Sequence, residues 1–97
     1  MTVLRSRPLF PLGLLVVSPG ALDLLDRTGT NADTLLRRHG GGDWGVACST
    51  DARSNNLAVV NGTRILSAYE LGARFERLWV LTDADRRVTV IMCPCEY

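Results

Sequence analysis

Ninety-seven residues, 46% of them hydrophobic and 22% charged, describe one globular domain large enough to bury a single core without metal or disulfide staples. Eleven basic and ten acidic residues leave a net charge of +1. That balance excludes a global field drawing the chain onto nucleic acid or an anionic membrane, and it excludes the acidic excess of a DNA mimic.

Met1 to Pro8 reads as a loosely held lead-in carrying Arg5 and Arg7. The start is basic and Leu9 to Val17 is apolar, but Pro11 and Gly13 break the run and no A-x-A cleavage site follows. A strand is expected there rather than a signal peptide, and nothing is long enough to span a membrane. Leu12 to Val17, bounded by Pro11 and Ser18, suits a strand buried on both faces or inserted beside the C-terminal meander of strands. Ser18-Pro19 is an N-cap followed by Pro at the first helical position, where its missing N–H costs nothing. A short helix is predicted from Pro19 to about Arg27, with Ala21, Leu22 and Leu25 on one side and Asp23 and Asp26 outside. After Thr28-Gly29-Thr30, Asn31 caps a second helix from Ala32 to His39, whose Ala32, Leu35, Leu36 and His39 recur at helical spacing. Gly40-Gly41-Gly42 ends it.

Asp43-Trp44-Gly45 is a tight turn or short extended piece in which flanking glycines leave room for the indole ring. A third helix is predicted from Thr50 or Asp51 to Asn61, with Ala52, Asn56, Val59 and Val60 as its inner stripe and Asn61-Gly62 as its stop. From Arg64 to Cys93 the chain reads as a three-stranded antiparallel meander, TRILSAYEL, ARFERLWVLT and RRVTVIM, with turns at Gly72 and at Asp83-Ala84-Asp85-Arg86. The fold class that follows is α+β: a mainly antiparallel sheet of about four strands, the N-terminal strand plus the meander, with two or three short helices on one face. One domain spans residues 1–97.

Candidate chemistry is sparse. His39 could act as a base or a metal ligand with Asp43 and Cys48, but the spacing H-x3-D-x4-C matches no zinc pattern, and a histidine ending an amphipathic helix is more often structural. Cys48, Cys93 and Cys95 are an odd number without a CxxC pair, which suits a reduced, cytoplasmic setting; with His39 they could make up a four-ligand zinc set, yet C-x-C spacing is poor for one. Asp83 and Asp85 fit turn chemistry better than acid–base catalysis. Ser67 lacks the glycines of a nucleophile elbow. The triple glycine lacks the Lys and Ser/Thr of a phosphate-binding loop and follows a helix. All eleven basic residues are Arg, which fits a GC-rich coding sequence; they are scattered in pairs, with too few aromatics for an RNA-binding sheet. No cofactor, metal or catalytic residue is expected.

A spaced pattern remains: Arg38-His39, Gly42-Asp43-Trp44-Gly45, Asp51, Asn55, Gly62, Arg64, Leu66-Ser67-Ala68-Tyr69, Trp79, Thr82 to Arg86, Thr89, and Pro94 to Tyr97 with Glu96. On these residues the chain resembles a family of short bacterial proteins labelled "plasmid-related", carried on plasmids, integrative elements and phages. Cys93 and Cys95 stand where that family usually has apolar and acidic residues, which argues against a shared cysteine mechanism. A restriction–modification label given to some members finds no methyltransferase or nuclease motif here. What the resemblance implies is a small non-enzymatic protein that binds a host or element-encoded protein complex, such as an anti-CRISPR or other anti-defence inhibitor. The expected contact residues are Trp44, Asp43, Asp83, Asp85, Arg86, Arg87, Arg37 and Arg38, with Trp44 as an exposed aromatic anchor. A nucleic-acid or regulatory binder using Arg37, Arg38, Arg86 and Arg87 is the alternative. A metal-dependent enzyme built on His39, Asp43 and Cys48 ranks third.

Overall fold

The structure, a computed structural model, describes residues 8–97, so all but the last residue of the expected lead-in lies outside it. In chain order the elements are β1 (Leu14–Val17), α1 (Pro19–Thr28), α2 (Ala32–Gly40), α3 (Ser49–Asn61), β2 (Ile65–Leu71), β3 (Glu76–Thr82), β4 (Val88–Met92) and a short 3-10 turn at Pro94–Glu96. The sheet order is β1-β4-β3-β2. β2, β3 and β4 form the antiparallel meander, while β1 runs parallel to β4. The fold is therefore α+β with a mixed sheet, three of whose strands are antiparallel neighbours.

One sheet face is covered. Register places Ile65, Ser67, Tyr69 and Leu71 of β2 beside Leu78, Val80 and Thr82 of β3, and these beside Thr89 and Ile91 of β4. Ala21, Leu24, Leu25 and Leu35 of α1 and α2 cluster with Tyr69, Leu71, Leu78, Val80 and Ile91; Ala58 of α3 packs with Ile65, Trp44 and Phe10. All three helices thus lie against the same face. Burying one medium-sized apolar side chain there contributes about 1.5–3 kcal/mol, so the two clusters carry most of the stability.

The helix signals act as expected at the ends. Ser18 Oγ accepts from the Ala21 amide with Pro19 opening α1, and Asn31 Oδ1 accepts from the Asp33 amide at the start of α2. Three assignments differ. In α1 the buried partner of Ala21 and Leu25 is Leu24, and Leu22 is exposed. In α3 the inner residues are Asn55 and Ala58, while Asn56 and Val60 face outward. The small Ala52 and Ala58 let this helix approach closely, and Asn55 turns inward because its carboxamide is bonded to the backbone of β2. β1, finally, lies beside the meander against β4, as one of the two expectations had it, but as an edge strand with Leu14, Leu15 and Val16 exposed it is not buried on both faces.

Gly13 admits β1 to the sheet. Its φ is +68°, and a Cβ there would lie 2.2 Å from the Arg87 carbonyl oxygen. Only glycine lets the chain turn this tightly against the β3–β4 hairpin.

Candidate functional site

The outer edge of β2 is occupied. Asn55 Nδ2 donates to the Leu66 carbonyl at 2.7 Å, and Asn55 Oδ1 accepts from the Leu66 amide at 3.1 Å. Two residues on, Val46 N–H donates to the Ala68 carbonyl at 2.7 Å, and the Ala68 amide donates to the Trp44 carbonyl at 3.2 Å. One side chain and one loop thus satisfy backbone groups that an open edge would offer to another chain. Gly45 makes the second contact possible: its φ is +70°, and a Cβ would stand 2.0 Å from the Ala68 oxygen.

That loop fixes the predicted contact residues around Asp43 and Trp44. Trp44 is 6% exposed, near Phe10 and His39, with its Nε1–H donated to Asn56 Oδ1 at 2.9 Å. It is a core residue, which corrects the expected exposed anchor; an indole flanked by glycines was free to turn inward. Asp43 pairs with Arg38 at 2.6 Å, and Arg38 stacks 4.5 Å from the centre of the Tyr69 ring. The Arg38 guanidinium holds the Asp43 carboxyl below its usual range. Tyr69 donates its hydroxyl to the Asp43 carbonyl at 2.7 Å, and burial pushes its pKa up to about 12.

His39 is 0% exposed. Its Nδ1 lies 2.6 Å from Ser67 Oγ and its Nε2 lies 2.9 Å from Thr82 Oγ1. Thr82 Oγ1 meets Thr89 Oγ1 at 2.7 Å, and Thr89 donates to the Leu12 carbonyl at 2.6 Å. A carbonyl only accepts, so every proton in this chain has a fixed position. Thr89 gives its proton to Leu12, Thr82 gives its own to Thr89, and His39 supplies Nε2–H to Thr82, leaving Nδ1 to accept from Ser67. Burial, with a smaller contribution from the Arg86 charge, lowers the imidazole pKa from 6.5 to about 4, so the ring is neutral at pH 7. Both ring nitrogens are bonded to hydroxyls, not to Asp43 or Cys48. The arrangement ties α2 directly to β2 and β3 and, through Thr82 and Thr89, to β4 and the segment at Leu12, and all four side chains are buried. Among the described residues, no three His, Cys, Asp or Glu side chains gather as a metal site, and the three cysteines are free.

The β3–β4 hairpin tip divides. Asp83 accepts from the Arg86 amide at 2.9 Å, closing the expected turn, and Asp85 Oδ1 accepts from the Arg87 amide at 3.0 Å. Arg86 has φ +62° and turns back onto α3, where Nη2 donates to the Ala58 carbonyl at 2.8 Å and Nη1 to the Thr63 carbonyl at 2.7 Å. The Gly62 amide already donates to the Ala58 carbonyl at 2.9 Å, and, since the last turn of α3 has no basic residue of its own, Arg86 adds a charged donor there from outside. Arg86 is consequently a capping residue. Asp83, Asp85 and Arg87 remain exposed at the tip, and Arg37 is exposed beside Asp33 at 3.1 Å. Arg37 and Arg38 sit on α2, whereas Arg86 and Arg87 sit on the hairpin, each pair with one member engaged internally.

The sheet face away from the helices is a surface that motif reading missed. Register sets Leu14 beside Val88, Val16 beside Val90, Val90 beside Leu81, and Met92 beside Trp79. Leu14 and Val16 are 67% and 42% exposed, and Val88, Val90, Met92 and Trp79 are half-buried. Tyr97 meets Trp79 edge-on at 5.6 Å and accepts from Arg64 at 2.6 Å, covering one margin. Arg87 and Asp85 stand at the corner where β1 begins, since the Leu14 amide donates to the Arg87 carbonyl. The one signal in the sequence was apolar residues at both parities of the strands.

A shallow cleft of about 170 Å³ lies between α3 and β2, lined by Asp51, Ser54, Asn55, Arg64 and Leu66. Two of these residues already have internal partners: Asn55 on Leu66, and Arg64 on Tyr97. No helix among the described residues is long and apolar enough to cross a membrane. Searches against the profiles of known protein families, the curated proteins and the solved structures returned no match to this chain.

Proposed function

We propose that this chain is a non-enzymatic, cytoplasmic protein-binding domain that inhibits a bacterial defence complex, of the anti-CRISPR or another anti-defence kind. Its contact surface is the helix-free sheet face around Val90, Met92 and Trp79, rimmed by Asp85 and Arg87. The observation that carries this is the unequal treatment of the two faces: three helices pack on one, while the other presents rows of apolar side chains. Apolar patches of a few hundred Å² with a polar rim favour protein contacts, and a half-buried Trp suits a contact hot spot. The resemblance to mobile-element proteins supplies the class of partner.

The residues first expected to hold the partner divide accordingly. Trp44, Arg38 and Arg86 keep the fold in shape, whereas Asp83, Asp85, Arg87 and Arg37 stay available at the surface. The test is a side-by-side capture from bacterial lysate with wild-type and Val90→Glu baits, followed by a defence assay with the same pair. A complex held by wild type and lost with Val90→Glu, together with loss of defence inhibition, is the expected result. Equal capture by both baits, or salt-sensitive recovery of nucleic acid in place of protein, would refute it.

A further inference from the structure

The two edges of the sheet are built differently, and the difference is independent of how the open face is used. At β2 two of the outward-facing residues, Leu66 and Ala68, are paired by Asn55 and by the Trp44–Val46 backbone. At β1 nothing among the described residues does this. The Leu14 amide donates to Arg87 and the Ser18 amide to Ile91, so the even-numbered backbone groups face β4. By the alternation of a strand, the N–H and C=O groups of Leu15 and Val17 point away from the sheet. The side chains add no barrier: Leu14, Leu15 and Val16 are 67%, 41% and 42% exposed, and Gly13 to Val17 contains no charge and no Pro. Edges of this kind lack the charges, bulges and prolines that usually block pairing.

We propose that the β1 edge pairs antiparallel with β1 of a second copy of this chain, joining two four-stranded sheets into one of eight strands. The occupant follows from what the edge requires. An incoming strand must be apolar on both faces, because Leu14 and Val16 flank one side and Leu15 the other, and it must bring its own unpaired backbone groups. β1 meets both conditions. A two-fold axis at Val16 sets the outward groups of Leu15 opposite those of Val17 in the partner copy, which satisfies the ladder symmetrically. The contact involves only about five residues a side, well short of the roughly 800 Å² per partner of a stable interface. The dimer therefore forms and dissociates with concentration, in a range of about 10 μM to 1 mM.

Sedimentation velocity over that range, combined with hydrogen exchange resolved at the Leu15 and Val17 amides, tests this on the full chain. The expected result is a reversible shift from monomer to dimer, with protection of both amides rising in step. Leu15→Lys places a charge on the edge and should weaken association at least tenfold. Leu15→Pro, which removes an outward N–H that the monomer does not use, should do the same with circular dichroism unchanged; if it misfolds, the Lys variant decides. A monomer throughout the range, association that survives Leu15→Lys, or amide protection independent of concentration would each overturn the proposal.

Discussion

Acid should destabilise this protein through one buried side chain. His39 is the sole histidine, and its pKa falls from 6.5 when unfolded to about 4 when folded. Above the unfolded value both states hold the ring neutral and no penalty exists. As pH drops through the window between the two values the unfolded chain takes up a proton that the native state refuses, so stability is lost as pH falls. Full passage through the window costs about 3 kcal/mol, and the step from about pH 7.5 to about pH 5.5 alone costs about 1.3 kcal/mol. Asp43, Glu76 and Glu96 are held below the ordinary carboxylate range by Arg38, Arg27 and Ser18, so their contributions are lost only at lower pH and do not contaminate this step. Urea unfolding at the two pH values reads the change, and His39→Leu should flatten it while lowering stability at both. Nitrogen NMR of the native protein should show Nε2 protonated and Nδ1 bare. Unfolding free energies equal at the two pH values, or a folded-state titration near 6.5, would refute the buried neutral imidazole.

Other substitutions probe the remaining contacts. Arg86→Ala removes both donors from the end of α3 and should cost about 1–3 kcal/mol in urea unfolding; it should also raise the His39 pKa, because the Arg86 charge helps depress it. Gly45→Ala drives a methyl into the Ala68 carbonyl and should cost well over the roughly 1 kcal/mol of Gly29→Ala, which shares the positive φ but meets nothing within 4 Å. Asn55→Leu strips both bonds from the β2 edge and should cost about 2 kcal/mol, with the Leu66 amide losing hydrogen-exchange protection. Val90→Glu, on the open face, should leave the unfolding midpoint nearly unchanged while abolishing partner capture.

The local signals in the sequence carried far. Ser18-Pro19, Asn31 and Asn61-Gly62 mark helix ends because capping is decided by a few adjacent atoms, and the meander is legible because short turns permit only antiparallel neighbours. Contacts made across the chain were not legible. Arg86 could not announce from a hairpin tip that it reaches back to the end of a helix lying well before it in the chain. Nor could Trp44 reveal whether the glycines around it opened a path to solvent or to the core. Asn55 was not in the expected inner stripe, because an inner carboxamide makes sense only when the β2 backbone lies beside it. The spaced pattern from Arg38 to Tyr97 is accounted for largely by such distant pairings. The Gly42–Gly45 loop meets Ala68, and Tyr69 meets Asp43. Glu96 accepts from Ser18 and Gly20 at the start of α1. Much of that pattern therefore describes how the domain is held together.

The most direct measurement is a footprint of the captured partner on this domain by amide and side-chain NMR. Resonances of Val90, Met92, Trp79 and Val16 should shift or broaden on complex formation while those of α1 and α2 stay in place. Perturbations confined to the helices, or to Arg37 and Arg38 on α2, would contradict the assignment of the open sheet face.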